Sequence, residues 1–141
     1  MQRRPFLTCA TALACALLLS TAARAQTTIN VAALADFAGP YANVMNDMQG
    51  GRLAVLDWWN KEVGDKLKVR IAVKTYDTRY DVAQTASLWP GIKAELKPVM
   101  VLGLGGPDAA ALQQRLPEDK VPMLFGTAAY GFGWKPGQWA L

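Results

Sequence analysis

The sequence predicts an α/β fold: a doubly wound parallel sheet of about four strands in the order 2-1-3-4, with helices between them. Three observations predict it. Ile29–Leu34, Lys68–Tyr76, Val99–Leu104 and Val121–Phe125 have the length and the apolar or β-branched content of strands. Helical patterns and short capped segments lie between them, so strand and helix alternate along the chain. Strands joined through helices pair in parallel with right-handed crossovers, and a parallel sheet is buried on both faces, as these apolar runs require.

Each element has its own local reason. Ile29–Leu34 is an unbroken apolar strand, and Asp36–Tyr41 after it is a loop punctuated by Gly39-Pro40. From Tyr41 to Val63 the period is helical. Val44, Met48, Gly51, Val55 and Trp58 fall at i, i+4, i+7, i+11 and i+14, which places them on one face. Gly50-Gly51 costs helix propensity, and close packing on a sheet would explain it. Gly64 stands where a C-terminal glycine ends a helix. Val69, Ile71 and Val73 alternate with charges in the second strand. Asp77–Asp81 is a polar turn, and Asp81 can cap the next helix, which runs to about Lys97. Pro90-Gly91 should kink or split that helix. Val99–Leu104 is the third strand. Gly103, Gly105, Gly106 and Pro107 make a tight turn, and Asp108 can cap a short helix to Leu116. Pro117–Lys120 reads as a loop, and Val121–Phe125 as the fourth strand with Pro122 near its start. Residues 131–141 form an irregular tail rich in Gly, Pro and Trp.

The first 25 residues stand apart. Arg3-Arg4 precedes an apolar run from Phe6 to Leu19, and Ala23-Arg24-Ala25 follows with small residues around a cleavage point. This is the pattern of a secretory signal peptide, with mature protein from Gln26. A run of about 14 residues makes roughly 21 Å of helix, short of a hydrocarbon core of about 30 Å. Arg3-Arg4 also fits a twin-arginine signal, and the general secretory route is the other reading. Both cysteines, Cys9 and Cys15, lie in this segment, as do Arg3, Arg4 and Arg24. The remaining chain carries 12 basic and 11 acidic residues, a net +1, which is no footprint for nucleic acid.

Composition narrows the chemistry. The 141 residues include no histidine, and serine occurs only at Ser20 and Ser87. The usual general base, the Ser-His triads and most zinc sites are absent. Gly103-Leu104-Gly105-Gly106-Pro107-Asp108 falls short of a dinucleotide fingerprint, since position 108 is Asp. The expectation is a non-enzyme with no metal and no cofactor. In a 2-1-3-4 sheet, ligands bind beyond the carboxyl ends of the strands, where the order reverses. Asp36–Tyr41, Gly103–Asp108 and Gly126–Tyr130 should converge there.

Four stretches resemble one family. Asn30–Leu34 through Gly39-Pro40-Tyr41, Gly51-Arg52-Leu53-Ala54-Val55 with Asn60, Tyr76–Asp81 with Ala83 and Ala86, and Val121–Leu124 leading to Gly126-Thr127-Ala128 are similar, in order and spacing, to the N-terminal lobe of the periplasmic branched-chain amino-acid-binding proteins. These are solute receptors of ABC importers with the type I periplasmic-binding fold. Between the leader over 1–25 and the tail over 131–141, the resemblance implies an N-terminal ligand-binding lobe over 26–130. It implies an extracytoplasmic solute-binding component working in the periplasm with an inner-membrane permease, for amino acids or related small organic solutes. The alternative is the ligand-sensing lobe of a receptor. Members of the family have a second lobe, whereas this sequence stops at Leu141, so a lobe that does not close is expected to bind weakly.

Candidate ligand-binding residues are Tyr41, Gly106, Asp108, Thr127, Ala128 and Tyr130. Thr127 offers a hydroxyl to a polar ligand, or else ends a strand. Tyr41 and Tyr130 offer apolar walls, or else pack on their own domain. Asp108 reads as a helix cap or as a ligand contact. Members of the family often carry hydroxyl residues where this chain has Gly105-Gly106-Pro107-Asp108, and a carboxylate there would repel an anion.

Overall fold

A computed structural model describes residues 26–126 and Trp139. The expected leader over 1–25, most of the tail, and the candidate residues Thr127, Ala128 and Tyr130 lie outside the described residues. The elements are β1 (Thr27–Ala35), α1 (Ala42–Trp59), a π-helical stretch (Asn60–Gly64), α2 (Asp65–Leu67), β2 (Val69–Asp77), α3 (Val82–Leu96), β3 (Met100–Gly103), α4 (Gly106–Leu112), α5 (Leu116–Asp119) and β4 (Met123–Phe125). The sheet runs β2-β1-β3-β4, all parallel, with Ala35 opposite Asp77 and Val31 opposite Met100. Val31–Ala35 are buried, as the apolar run requires of a central strand.

The two faces of β1 feed two cores. Ala32 and Leu34 join Val101 and Met123 under Trp89, Ile92, Ala109, Leu112 and Leu116, from α3, α4 and α5. Burying each large side chain of this group contributes about 1.5–3 kcal/mol. Trp139 packs against this core, and its carbonyl accepts from the N–H of Met123 at 2.7 Å, so the tail touches β4 at that residue. On the other face, Ala35, Met45 and Leu104 form a small cluster with Tyr80.

Helix α1 corrects the expected phase. Val55 and Trp58 are 65% and 59% exposed, and Val44, Met48 and Gly51 are exposed too. The buried line is Met45 and Gln49, followed by half-buried Arg52 and Leu56 and by buried Asn60. Polar residues occupy that line because each finds a partner. Gln49 Nε2 donates to Thr75 Oγ1 at 2.6 Å. Asn60 donates to the carbonyl of Ile71 at 2.9 Å and accepts from its N–H at 2.8 Å. Hydropathy cannot see such pairing, so the apolar period pointed one position away. Gly50-Gly51 makes no close approach, since a Cβ on either would meet nothing within 4 Å. Gly64 does not end the helix. It sits in right-handed backbone inside the π-helical stretch, where a Cβ would lie 2.5 Å from the Val69 carbonyl. The helix ends at Lys68, in left-handed backbone at φ 58°.

Helix α3 starts as expected, with the Asp81 carboxylate accepting from the N–H of Gln84 at 2.6 Å. It is not split at Pro90-Gly91. Proline at 90 removes the donor that Ala86 would use, and Arg115 Nη1 donates to the Ala86 carbonyl instead, at 3.1 Å. The Pro117–Lys120 loop proves to be the helical turn α5, and β4 begins after Pro122. Among the described residues no helix is long and apolar enough to cross a membrane.

Candidate functional site

Because the sheet is parallel, all four strands deliver their carboxyl ends to one end of the molecule. After β1, buried Asp36 folds the chain back on itself. Its Oδ1 accepts from the N–H of Gly39 at 2.5 Å and its Oδ2 from the N–H of Tyr41 at 2.8 Å. Aspartate suits this place because its short carboxylate reaches backbone donors a few residues on. Asp77, closing β2, accepts on Oδ1 from the N–H of Phe37 at 3.1 Å and from that of Arg79 at 3.0 Å. One carboxylate thus ties the first loop to the second. Gly39 completes the contact, since a Cβ there would stand 2.5 Å from the Arg79 carbonyl.

The turn after β2 carries two consecutive residues in left-handed backbone, Arg79 at φ 52° and Tyr80 at φ 54°. Neither is glycine, and such conformations persist where surrounding contacts hold them. Tyr80 packs against Ala35, Met45 and Leu104. Its ring meets Tyr41 edge to face, with centroids 4.7 Å apart and planes at 79°. Tyr41 itself is 45% exposed.

After β3, the backbone passes through Gly105, which caps α4 in extended conformation. Asp108 is therefore not the cap. It sits one turn in, fully buried, with Oδ2 accepting from the N–H of Leu104 at 2.8 Å. Its Oδ1 lies 3.2 Å from Thr78 Oγ1 and 3.1 Å from Thr85 Oγ1. Each hydroxyl has one proton and a second acceptor nearby, Ala35 O for Thr78 and Asp81 O for Thr85. Burial pushes the Arg52 guanidinium below its usual range, and the negative charge of Asp108 opposes that. The Asp108 carboxylate is enclosed by protein in this arrangement. Gly106 differs: it is half-buried, and a Cβ there would meet nothing within 4 Å.

The end of β1 and Gly126, the first residue after β4, both lie near Leu104. Ala35 touches the same small cluster as Leu104, and a Cβ on Gly126 would lie 3.8 Å from the Leu104 carbonyl. Of the candidate residues, Tyr41 stands exposed on the lip, Gly106 offers open backbone, and Asp108 braces the loops from behind. Sequence reasoning missed the Asp77–Asp81 turn as part of this crevice. The signal was present in the expected order, which sets β2 beside β1 with its carboxyl end at the same lip. Among the described residues no group of three Cys, Asp or Glu side chains could hold a metal. The arrangement places exposed aromatic surface, Phe37 and Tyr41, and the open backbone of Gly106 at the carboxyl end of the sheet.

A family described as "Periplasmic binding protein" matches over residues 28–140. Among solved structures, the chain is similar to an ABC transporter substrate binding protein from Aeropyrum pernix, at 21% identity and TM-score 0.63, over 71% of this chain and 27% of that one. It is similar to the branched-chain amino acid transporter substrate binding protein of Streptococcus pneumoniae in complex with isoleucine, at 24% identity and TM-score 0.60, over 70% and 28%. It is also similar to an ABC transporter solute binding protein from R. palustris in complex with 4-hydroxybenzoate, at 28% identity and TM-score 0.56, over 70% and 26%. The chain thus spans about a quarter of the length of these structures. No curated protein matches the sequence.

Proposed function

The chain belongs to the periplasmic binding protein family, and we propose that it is the N-terminal lobe of the solute-binding component of an ABC importer, taking amino acids or related small organic acids outside the cytoplasm. The observation that carries this reading is the cluster of loops at the carboxyl end of the sheet. There the loops after β1, β2 and β3 are tied together by Asp36, Asp77 and Asp108, leaving Gly106 and the Tyr41 ring open to a solute. Neighbours in complex with isoleucine and with 4-hydroxybenzoate support a small organic acid. Export through the leader over 1–25 would bring the protein to the periplasm, and an inner-membrane permease would be its partner.

One lobe supplies half of a site that closure on a second lobe would complete. Binding by this chain alone is therefore expected near millimolar, about −4 kcal/mol. The test is a titration of isotopically labelled protein with isoleucine, leucine, valine and benzoate, followed by amide resonances. Shifts confined to 36–41, 77–81, 103–108 and 126–130 support the reading. Saturable shifts elsewhere, or none with any of the four, overturn it.

A further inference from the structure

We propose that the solute taken by this crevice carries a planar aromatic ring, which lies against Tyr41; this rests on the solute-binding reading above. Tyr41 and Phe37 are 45% and 40% exposed on one six-residue loop, at the lip where the strand order reverses. Exposed aromatics on a mobile loop would mean little. Here the backbone on both sides is fixed. The N–H of Phe37 is held by Asp77, and that of Tyr41 by buried Asp36. The Tyr41 ring is met edge to face by Tyr80, which is itself anchored on Ala35, Met45 and Leu104. A rigid aromatic surface loses little conformational freedom when a second ring stacks or abuts on it. Gly106, at the start of α4 after β3, has open space where a side chain would stand.

The charges of the lip point the same way. An amino acid brings an α-ammonium that seeks a carboxylate. Asp36 and Asp77 are engaged by backbone N–H groups, Asp81 caps α3, and Asp108 is buried. The described loops therefore reserve their acids for the protein and present aromatic surface to the solute.

The protein is titrated with benzoate, cyclohexanecarboxylate and isoleucine, following the amides of Phe37, Tyr41, Tyr80 and Gly106. Benzoate and cyclohexanecarboxylate share charge and approximate size, so their ratio isolates the ring. Benzoate is expected to bind about fivefold more tightly than cyclohexanecarboxylate, from the added ring–ring term. Tyr41→Leu is expected to bring the two within twofold, and Tyr41→Phe to keep the preference. Thermal melts of both variants check that they fold, and were Tyr41→Leu to fail, the wild-type ratio alone decides. Equal affinities, a preference that survives Tyr41→Leu, or tighter binding of isoleucine than of benzoate would overturn the aromatic assignment while leaving a solute-binding lobe. Silence with all three ligands would remove both readings.

Discussion

Thr78 and Asp108 meet across 30 residues of chain, Oγ1 to Oδ1 at 3.2 Å, with both side chains fully buried. This contact joins the turn after β2 to the first turn of α4, and the same carboxylate holds the N–H of Leu104 at the end of β3. The loops after β2 and β3 are thus braced by one buried acid.

Asp108→Ala removes an acceptor from a buried N–H and from two buried hydroxyls. It should destabilise the protein by about 2–3 kcal/mol, lowering the melting temperature by on the order of 10 °C. Asp108→Asn should cost less, because its amide oxygen can still accept from Leu104 while its NH2 donates to a threonine oxygen. Thermal melts of the two variants check this, and equal losses would show that the charge itself is what matters.

Arg115 and Pro90 should be coupled. With proline at 90, Ala86 depends on the Arg115 guanidinium for a partner. Arg115→Ala should cost about 0.5–1 kcal/mol, since water can reach an exposed carbonyl. In a Pro90→Ala background the restored N–H can bond to Ala86, and Arg115→Ala should then cost almost nothing. A double-mutant cycle by urea unfolding reads the difference.

Asn60→Leu keeps volume and removes both hydrogen bonds to Ile71. The expected loss is about 1–2 kcal/mol. It also uncovers a backbone N–H and carbonyl on the outer side of β2, an edge strand, and free edges invite pairing with other chains. Sedimentation of the variant should show concentration-dependent association that the parent protein lacks at the same concentration.

Asp119 gives a pH dependence. Burial alone would raise its pKa, but hydrogen bonds from Lys93 and from Trp89 Nε1, with the charges of Lys93 and Arg115, outweigh burial and hold it below the ordinary value. A carboxylate whose pKa is lower folded than unfolded stabilises the protein fully above its unfolded pKa, about 3.9, and that contribution is lost as pH falls through the folded value. Urea midpoints measured from pH 7 down to pH 2.5 should therefore fall below about pH 4. Asp119→Asn should be less stable at pH 7 by about 0.5–1 kcal/mol, a modest figure because Lys93 is partly exposed. Its acid limb should be flatter. The amide oxygen can still accept from Trp89, so the comparison isolates the charge.

Much of the fold was legible because it rests on local chemistry. The apolar run over Ile29–Leu34 could only be a buried strand, and Asp81 before a helical pattern could only help to start it. The site was legible in outline, because strand order alone places the loops after β1, β3 and β4 at one end. The turn at Arg79-Tyr80 was not, since nothing in Thr78–Asp81 announces two left-handed residues in succession. They are held by contacts with Gly39, Ala35 and Leu104, which are distant in sequence.

The sequence by itself determined the strand order, the parallel sheet and the end of the molecule to which the loops after the strands are delivered. Those follow from periodicity, composition and the handedness of crossovers, which are properties of short segments and of chain connectivity. Only the tertiary structure decided which face of α1 is buried, why α3 survives Pro90, and whether Asp108 caps α4 or braces the loops beside it. Each of these depends on a partner supplied from elsewhere in the chain: Thr75 for Gln49, Arg115 for Ala86, Thr78 and Leu104 for Asp108. A polar side chain is buried or exposed according to whether such a partner arrives, and that is settled by three-dimensional packing.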